Sequence, residues 1–147
     1  MDSVYQDSAV KEKLDIVTEG PVVVLSNGIV VANFSSPHPF NFEDGSILEA
    51  CDSSLSQSLS LETVEETTEP FYGQGAHMVT LSFKMTECVE KRIDSMEREP
   101  GIDVILVPFP VLACLRSAGR LARYKKVGTI RSANRQTKEA SIDKFCR

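Results

Sequence analysis

A chain of 147 residues, 41% hydrophobic and 25% charged, has the size and make-up of one globular domain, which excludes an intrinsically disordered chain. No apolar run approaches the roughly 20 residues of a membrane helix, and the start Met1-Asp2-Ser3-Val4-Tyr5 lacks the regions of a secretion signal, so a cytoplasmic protein is expected. A formal net charge of −5 argues against a non-specific binder of long nucleic acid, which is basic as a whole.

Residues 1–13 are polar and read as a flexible arm or a short helix, with residues 14–147 as a single globular domain. Val22 to Leu25 and Ile29 to Ala32 are β-branched runs around Ser26-Asn27-Gly28, which predicts a β-hairpin with a type I′ turn. Residues 47–67 are ambiguous: Leu48, Cys51, Leu55 and Leu59 fit a helical stripe, yet Ser53 to Ser60 is a poor helix former. Asp52 is suited to cap a short helix there. Residues 65–75, with Pro70, Gly73 and Gly75, read as an acidic exposed loop.

The second half has a clearer rhythm. Alternation over His77 to Lys84 predicts a strand, and Thr86 caps a helix carrying Val89, Ile93 and Met96 until Pro100-Gly101 ends it. Val104 to Val107 reads as a strand buried on both faces. A helix over 111–124 with Leu112, Leu115 and Leu121 inward, a strand over 127–130 and a last strand over 141–146 complete the pattern. The expected fold class is α/β (α+β): a mixed sheet with an N-terminal β-hairpin and a strand-helix-strand-helix-strand second half.

Asn33-Phe34-Ser35-Ser36-Pro37-His38-Pro39-Phe40 resembles a stretch found in a loose group of small tailed-phage proteins. In these a strand runs into an Asn-Leu-Thr-Pro-His-Pro-like motif followed by an Asp-Gly turn. Phe42-Glu43-Asp44-Gly45-Ser46 occupies the place of that turn here, and the stretches Asp103 to Pro108 and Arg131 to Lys138 are also similar. The sequence departs by an extra serine before Pro37, and residues 1–20 and 51–76 lie outside the resemblance. What it implies is a phage or prophage origin, and hence the host cytoplasm; it brings no activity with it.

Charge is distributed unevenly along the chain. Residues 1–100 carry six Lys/Arg against eighteen Asp/Glu, and residues 101–147 carry ten against three. Between Arg116 and Lys138 stand eight basic residues and no acidic one. Arginine offers a planar fork for phosphate or carboxylate, so Arg116, Arg120, Arg131, Arg135 and Lys138 are candidate ligand-binding residues, with Tyr124 and Phe83 as stacking faces. The bland alternative is a solvated helix that pairs with the acidic half of the same chain or of another copy.

Other candidates are weaker. His38, held between two prolines, with Asp44 or Glu43 is a candidate acid–base pair, against a rigid turn whose histidine packs locally. Cys51, Cys88, Cys114 and Cys146 lie far apart with no Cys-x-x-Cys pair, so neither a metal nor a disulfide framework is expected. Cys88 and Cys114 fall on apolar stripes of predicted helices, as structural cysteines do. Val107-Pro108-Phe109-Pro110 opens a helix whose start is able to hold a phosphate, but no Gly-x-Gly-x-x-Gly or Gly-Lys-Ser/Thr loop accompanies it. No cofactor is expected.

Three functional readings follow. The first is a non-enzymatic accessory protein, homo-oligomeric, binding a small anionic ligand, a nucleotide defence signal being the specific version. The second is a small hydrolase or transferase acting on a phosphorylated or nucleotide substrate through His38. The third is an inhibitor of a host protein acting through the acidic surface of Glu62 to Glu69. The first is favoured by the arginine segment.

Overall fold

The computed structural model describes residues 20–71 and 75–147; the arm expected at 1–13 lies outside them. Strands β1 (Val22–Val24) and β2 (Val30–Asn33) pair antiparallel, with Val23 opposite Val31. The turn between them differs from the expected type I′. The Gly28 N–H closes on the Leu25 carbonyl at 2.9 Å and only Gly28 takes positive φ, 87°. Asn27 keeps negative φ because its side chain has other work: it accepts the Ile29 N–H at 3.1 Å and donates to the Ile142 carbonyl at 2.8 Å.

Strands β3 (Phe40–Asn41) and β4 (Ile47–Leu48) form a small antiparallel pair. The serine-rich stretch then makes helix α1 (Ser53–Ser58), capped by Asp52 as expected, whose carboxylate accepts the Ser54 N–H at 3.0 Å. Next come β5 (Glu62–Phe71) and β6 (Ala76–Lys84), which pair with each other. The loop expected from residue 65 is therefore a strand as far as Phe71. Its Thr63, Val64, Thr67 and Thr68 are β-branched, and that preference outweighs the interspersed glutamates. The register shifts between Thr67 and Pro70, as befits a residue with no N–H to give a ladder.

Helix α2 (Glu87–Arg98) starts at Thr86, whose hydroxyl accepts the Val89 N–H at 3.3 Å. Strand β7 (Val104–Leu106), helix α3 (Phe109–Ser117), β8 (Val127–Asn134) and β9 (Glu139–Cys146) follow. The main sheet runs β1-β2-β7-β8-β9, with β2, β7 and β8 parallel and both outer strands antiparallel. The mixed sheet is thus as expected, but the strand at 77–84 is not part of it: β2 takes the place beside β7.

From β2 to β7 and from β7 to β8 the chain steps the same way along the sheet. A constant crossover hand then puts both connecting helices on one face. There Val89, Ile93, Met96, Val111, Leu112 and Leu115 close over Ala32, Ile105 and Val127. The other face is covered by Phe42, Leu48 and Ala140, packed against Val31 and Leu106. With both faces covered, β7 reads as the continuous apolar run seen in the sequence.

The predicted helix over 111–124 stops at Ser117, because Gly119 adopts φ 69° and the chain turns, with a short 3₁₀ turn at Leu121–Arg123. Arg116, Arg120 and Arg123 therefore do not share one helix face. Cys88 is exposed rather than on an apolar stripe, and Cys114 is half-buried. All four cysteines are free thiols.

Candidate functional site

Three parallel strands send their carboxyl ends to one end of the sheet, where open α/β sheets leave a crevice. The loop after β2, the turn from β7 into α3 and the continuation of β8 build it here. Two adjoining cavities result. The larger, about 470 Å³, is lined by Ser35, Pro37, Ser56, Gln57, Phe83, Pro108 and neighbouring residues. The smaller, about 320 Å³, is lined by Ser36, Pro37, Phe40, Phe109, Thr129 and Ile130 among others. Pro37 and Pro108 belong to both and form the ridge between them.

The loop is built from residues 33–40. Asn33 is fully buried; its Nδ2 donates to the carbonyls of Ser36 at 3.1 Å and Glu49 at 3.0 Å, and its Oδ1 accepts the Ser36 N–H at 2.8 Å. The Phe34 N–H continues the sheet by donating to the Leu106 carbonyl at 3.0 Å. The Ser36 hydroxyl donates to the His38 carbonyl and accepts the His38 N–H. The Ser56 hydroxyl of α1 donates to the Ser35 carbonyl at 2.6 Å. These bonds spend the motif's polar groups on shape, and they leave the imidazole of His38 on an exposed residue.

No family model matches the sequence, and no curated protein or solved structure matches the chain significantly. Function has to be read from the crevice and the charges around it.

The basic segment is divided by the fold. Helix α3 carries the chain away from the carboxyl end of β7 toward the amino end of β8, so Arg116, which ends α3, and Arg123 and Lys125, which precede β8, lie away from the crevice, while Arg120 stays level with the first turn of α2. Arg131 lies in β8 beyond Thr129 and Ile130, while Arg135 and Lys138 sit in the turn after it, so these three belong to the crevice end. Arg131, Arg135, Lys138 and Arg116 are all exposed. Arg120 instead pairs with Glu90; with Phe83 and Cys114 it lines a third groove of about 670 Å³ between β6 and α3.

Tyr124 is no stacking face. It is buried, and its hydroxyl donates to Asp94 at 2.6 Å. Burial, helped by the Asp94 carboxylate, pushes its pKa up to about 12. Phe83, half-exposed on β6, remains available at the wall of the larger cavity.

Asp44 is a clamp. Its carboxylate accepts the N–H of Ser26 and of Ser46, both at 2.8 Å, and so ties the β1–β2 turn to the β3–β4 turn. Desolvation pushes its pKa up, but the hydrogen bonds from Ser26 and Ser46 win and hold it at about 2, against an ordinary 3.8. A carboxyl that acidic is a poor proton donor and a weak base near neutrality. The stability it contributes is present above its unfolded pKa and is lost as the pH falls from 3.8 toward about 2. In thermal melts Asp44→Asn is expected to be less stable than the natural protein near neutral pH, with the gap closing across that acid window. A gap that stays constant with pH would refute the clamp.

Cys114 and Cys51 are both held in the thiol form. Burial pushes the Cys114 thiol up, and its Sγ donates to the Phe83 carbonyl at 3.1 Å. Burial also raises Cys51, against a partial pull from Arg92, and its Sγ faces the Asn33 carbonyl at 3.5 Å. At the start of α3, Pro110 has no N–H and the Val111 N–H donates to the Pro108 carbonyl at 3.0 Å. That leaves a poor cradle for phosphate.

Sequence reasoning missed Ser53, Ser56, Gln57 and Phe109 as lining residues. A signal existed for the first three. A serine-rich stretch that is a poor helix former yet is still helical keeps hydroxyls where something else uses them.

Proposed function

We propose that this chain is a non-enzymatic accessory protein of phage type that binds a small phosphorylated ligand in the crevice at the carboxyl ends of β2, β7 and β8. One observation carries the reading: two adjoining cavities walled by prolines, aromatic rings and serine hydroxyls open at the end of the sheet where β8 runs on from Ile130, a lining residue, to exposed Arg131 and Arg135. Phe83 and the proline ridge offer an apolar bed for a ring, the serines offer hydrogen bonds, and the arginines offer forks to a phosphate. A nucleotide has all three parts. The resemblance of residues 33–46 to tailed-phage proteins supports an accessory role, and sequestering a host's nucleotide defence signal is its specific form.

A second reading has an observation of its own. Pro37 and Ile130, the neighbours of His38 and Arg131, line one cavity. A hydrolase or transferase that uses His38 on the same ligand needs that proximity.

The test is thermal denaturation against a panel of nucleotides, including cyclic and ADP-ribose-type compounds. A ligand at about 100 times its dissociation constant adds about 2.7 kcal/mol to the folded state. The melting point is expected to rise by on the order of 5 °C or more with one compound class, and Arg131→Ala/Arg135→Ala is expected to abolish the rise while melting like the natural protein. No rise with any compound overturns the ligand reading. Conversion of the bound compound to product, lost in His38→Ala, would replace the binding protein with the enzyme.

A further inference from the structure

The β5–β6 ribbon is placed where a partner is needed. Its strands of ten and nine residues span roughly 30 Å, and among the described residues neither pairs with the main sheet. At its base the Cys114 thiol of α3 holds the Phe83 carbonyl. Beyond that, alternation sets Val79, Leu81 and Phe83 on one face, with Thr63 and Glu65 directly across on β5. Those three apolar side chains are 45–58% exposed. A lone two-stranded hairpin is marginal in water, and apolar residues gathered on its open face mark a contact surface.

Charge says what covers it. Strand β5 carries Glu62, Glu65 and Glu66, all exposed. The opposite charge stands away from the crevice, where Arg116 ends α3 and Arg123 and Lys125 follow, likewise exposed. Among the described residues Arg116 and Arg123 form no ion pair. The acidic strand and the basic patch are therefore complementary surfaces on one chain.

We propose that the ribbon is an assembly arm whose occupant is a second copy of this chain. The Val79 and Leu81 face packs on that copy while Glu65, which shares that face, meets its Arg116, Arg123 and Lys125, and Glu66 on the reverse face adds to the negative field of the strand. Each copy then offers one arm and one receiving patch. This patch is separate from Arg131 and Arg135, so assembly and ligand binding are tested independently.

Sedimentation velocity over a wide concentration range decides it. The natural protein is expected to sediment as more than one chain and to dissociate as salt rises. Glu65→Lys/Glu66→Lys and Arg116→Glu/Arg123→Glu are each expected to raise the dissociation constant roughly tenfold or more. Mixing the two variants is expected to restore assembly, because the basic arm of one then meets the acidic patch of the other. Leu81→Ser, at an exposed position, is expected to weaken assembly without lowering the melting point of the monomer. A natural protein that stays a single chain at every concentration overturns the proposal. So do charge variants that assemble like the natural protein, or a mixture that fails to recover. The Arg116→Glu/Arg123→Glu variant should keep any ligand-induced rise in melting point, so neither result stands in for the other.

Discussion

Replacing Phe34 by alanine is expected to remove about 4 kcal/mol of stability and to lower the melting point by on the order of 10 °C. The ring is fully buried although it sits in a loop just past β2, and it packs into the core formed by the two crossover helices. The Arg92 guanidinium lies 5.5 Å from the ring centroid, and the Arg92 Nε donates to the Phe34 carbonyl at 3.0 Å. Truncation would thus open a cavity under a charged group whose backbone partner stays in place. Phe34→Leu keeps most of the volume and is expected to cost about 1–1.5 kcal/mol. Urea unfolding of the two variants separates the cases. A loss below about 1 kcal/mol for alanine would mean that the loop collapses over the gap and that the crevice has no rigid floor.

The second large effect is polar. Asn33→Ala is expected to cost about 3 kcal/mol, because it removes three hydrogen bonds at a site closed to water. The Ser36 carbonyl keeps a partner in the Cys51 N–H at 2.8 Å, but the Ser36 N–H and the Glu49 carbonyl each lose the one Asn33 supplies. Asn33→Asp is the sharper comparison. It keeps an acceptor for the Ser36 N–H but turns a donor between two carbonyls into a second acceptor, so the variant is expected to be at least as damaged near neutral pH and to recover in acid. Ser36→Ala, which touches only the local bonds to His38, is expected to stay within about 1 kcal/mol. If the loop is the wall of a ligand site, Asn33→Ala also loses any ligand-induced rise in melting point. Chemical denaturation supplies the first measurement and the nucleotide panel the second.

Asn33 also shows why the site was only partly legible. The Pro-His-Pro stretch draws attention to His38 as chemistry, whereas in the fold the buried residue is Asn33 and the histidine is a surface position of a shaped loop. Both facts depend on Glu49 and Cys51 returning to the loop, a contact across some sixteen residues that no local pattern announces. The turn at Gly119 is different, since its signal is local. A glycine after the last inward leucine of a helix is a common stop, and a stop at Gly119 is enough to take Arg116 and Arg123 off a single helix face.

By itself the sequence determined the elements whose causes lie within a few residues. The β-branched runs made β1, β2 and β7, Thr86 and Asp52 began α2 and α1, and Gly28 made a turn. Tertiary structure alone decided which strands are neighbours. Residues 77–84 alternate as any sheet strand does, yet they pair only with the acidic strand before them, while β2 crosses the whole ribbon and α2 to lie beside β7. That choice depends on which faces can be buried together once the chain has closed long loops, a balance of burial against closure entropy that no window of sequence contains. It also decided the fate of the basic segment, placing Arg131 and Arg135 at the carboxyl end of the sheet and Arg116 and Arg123 away from it.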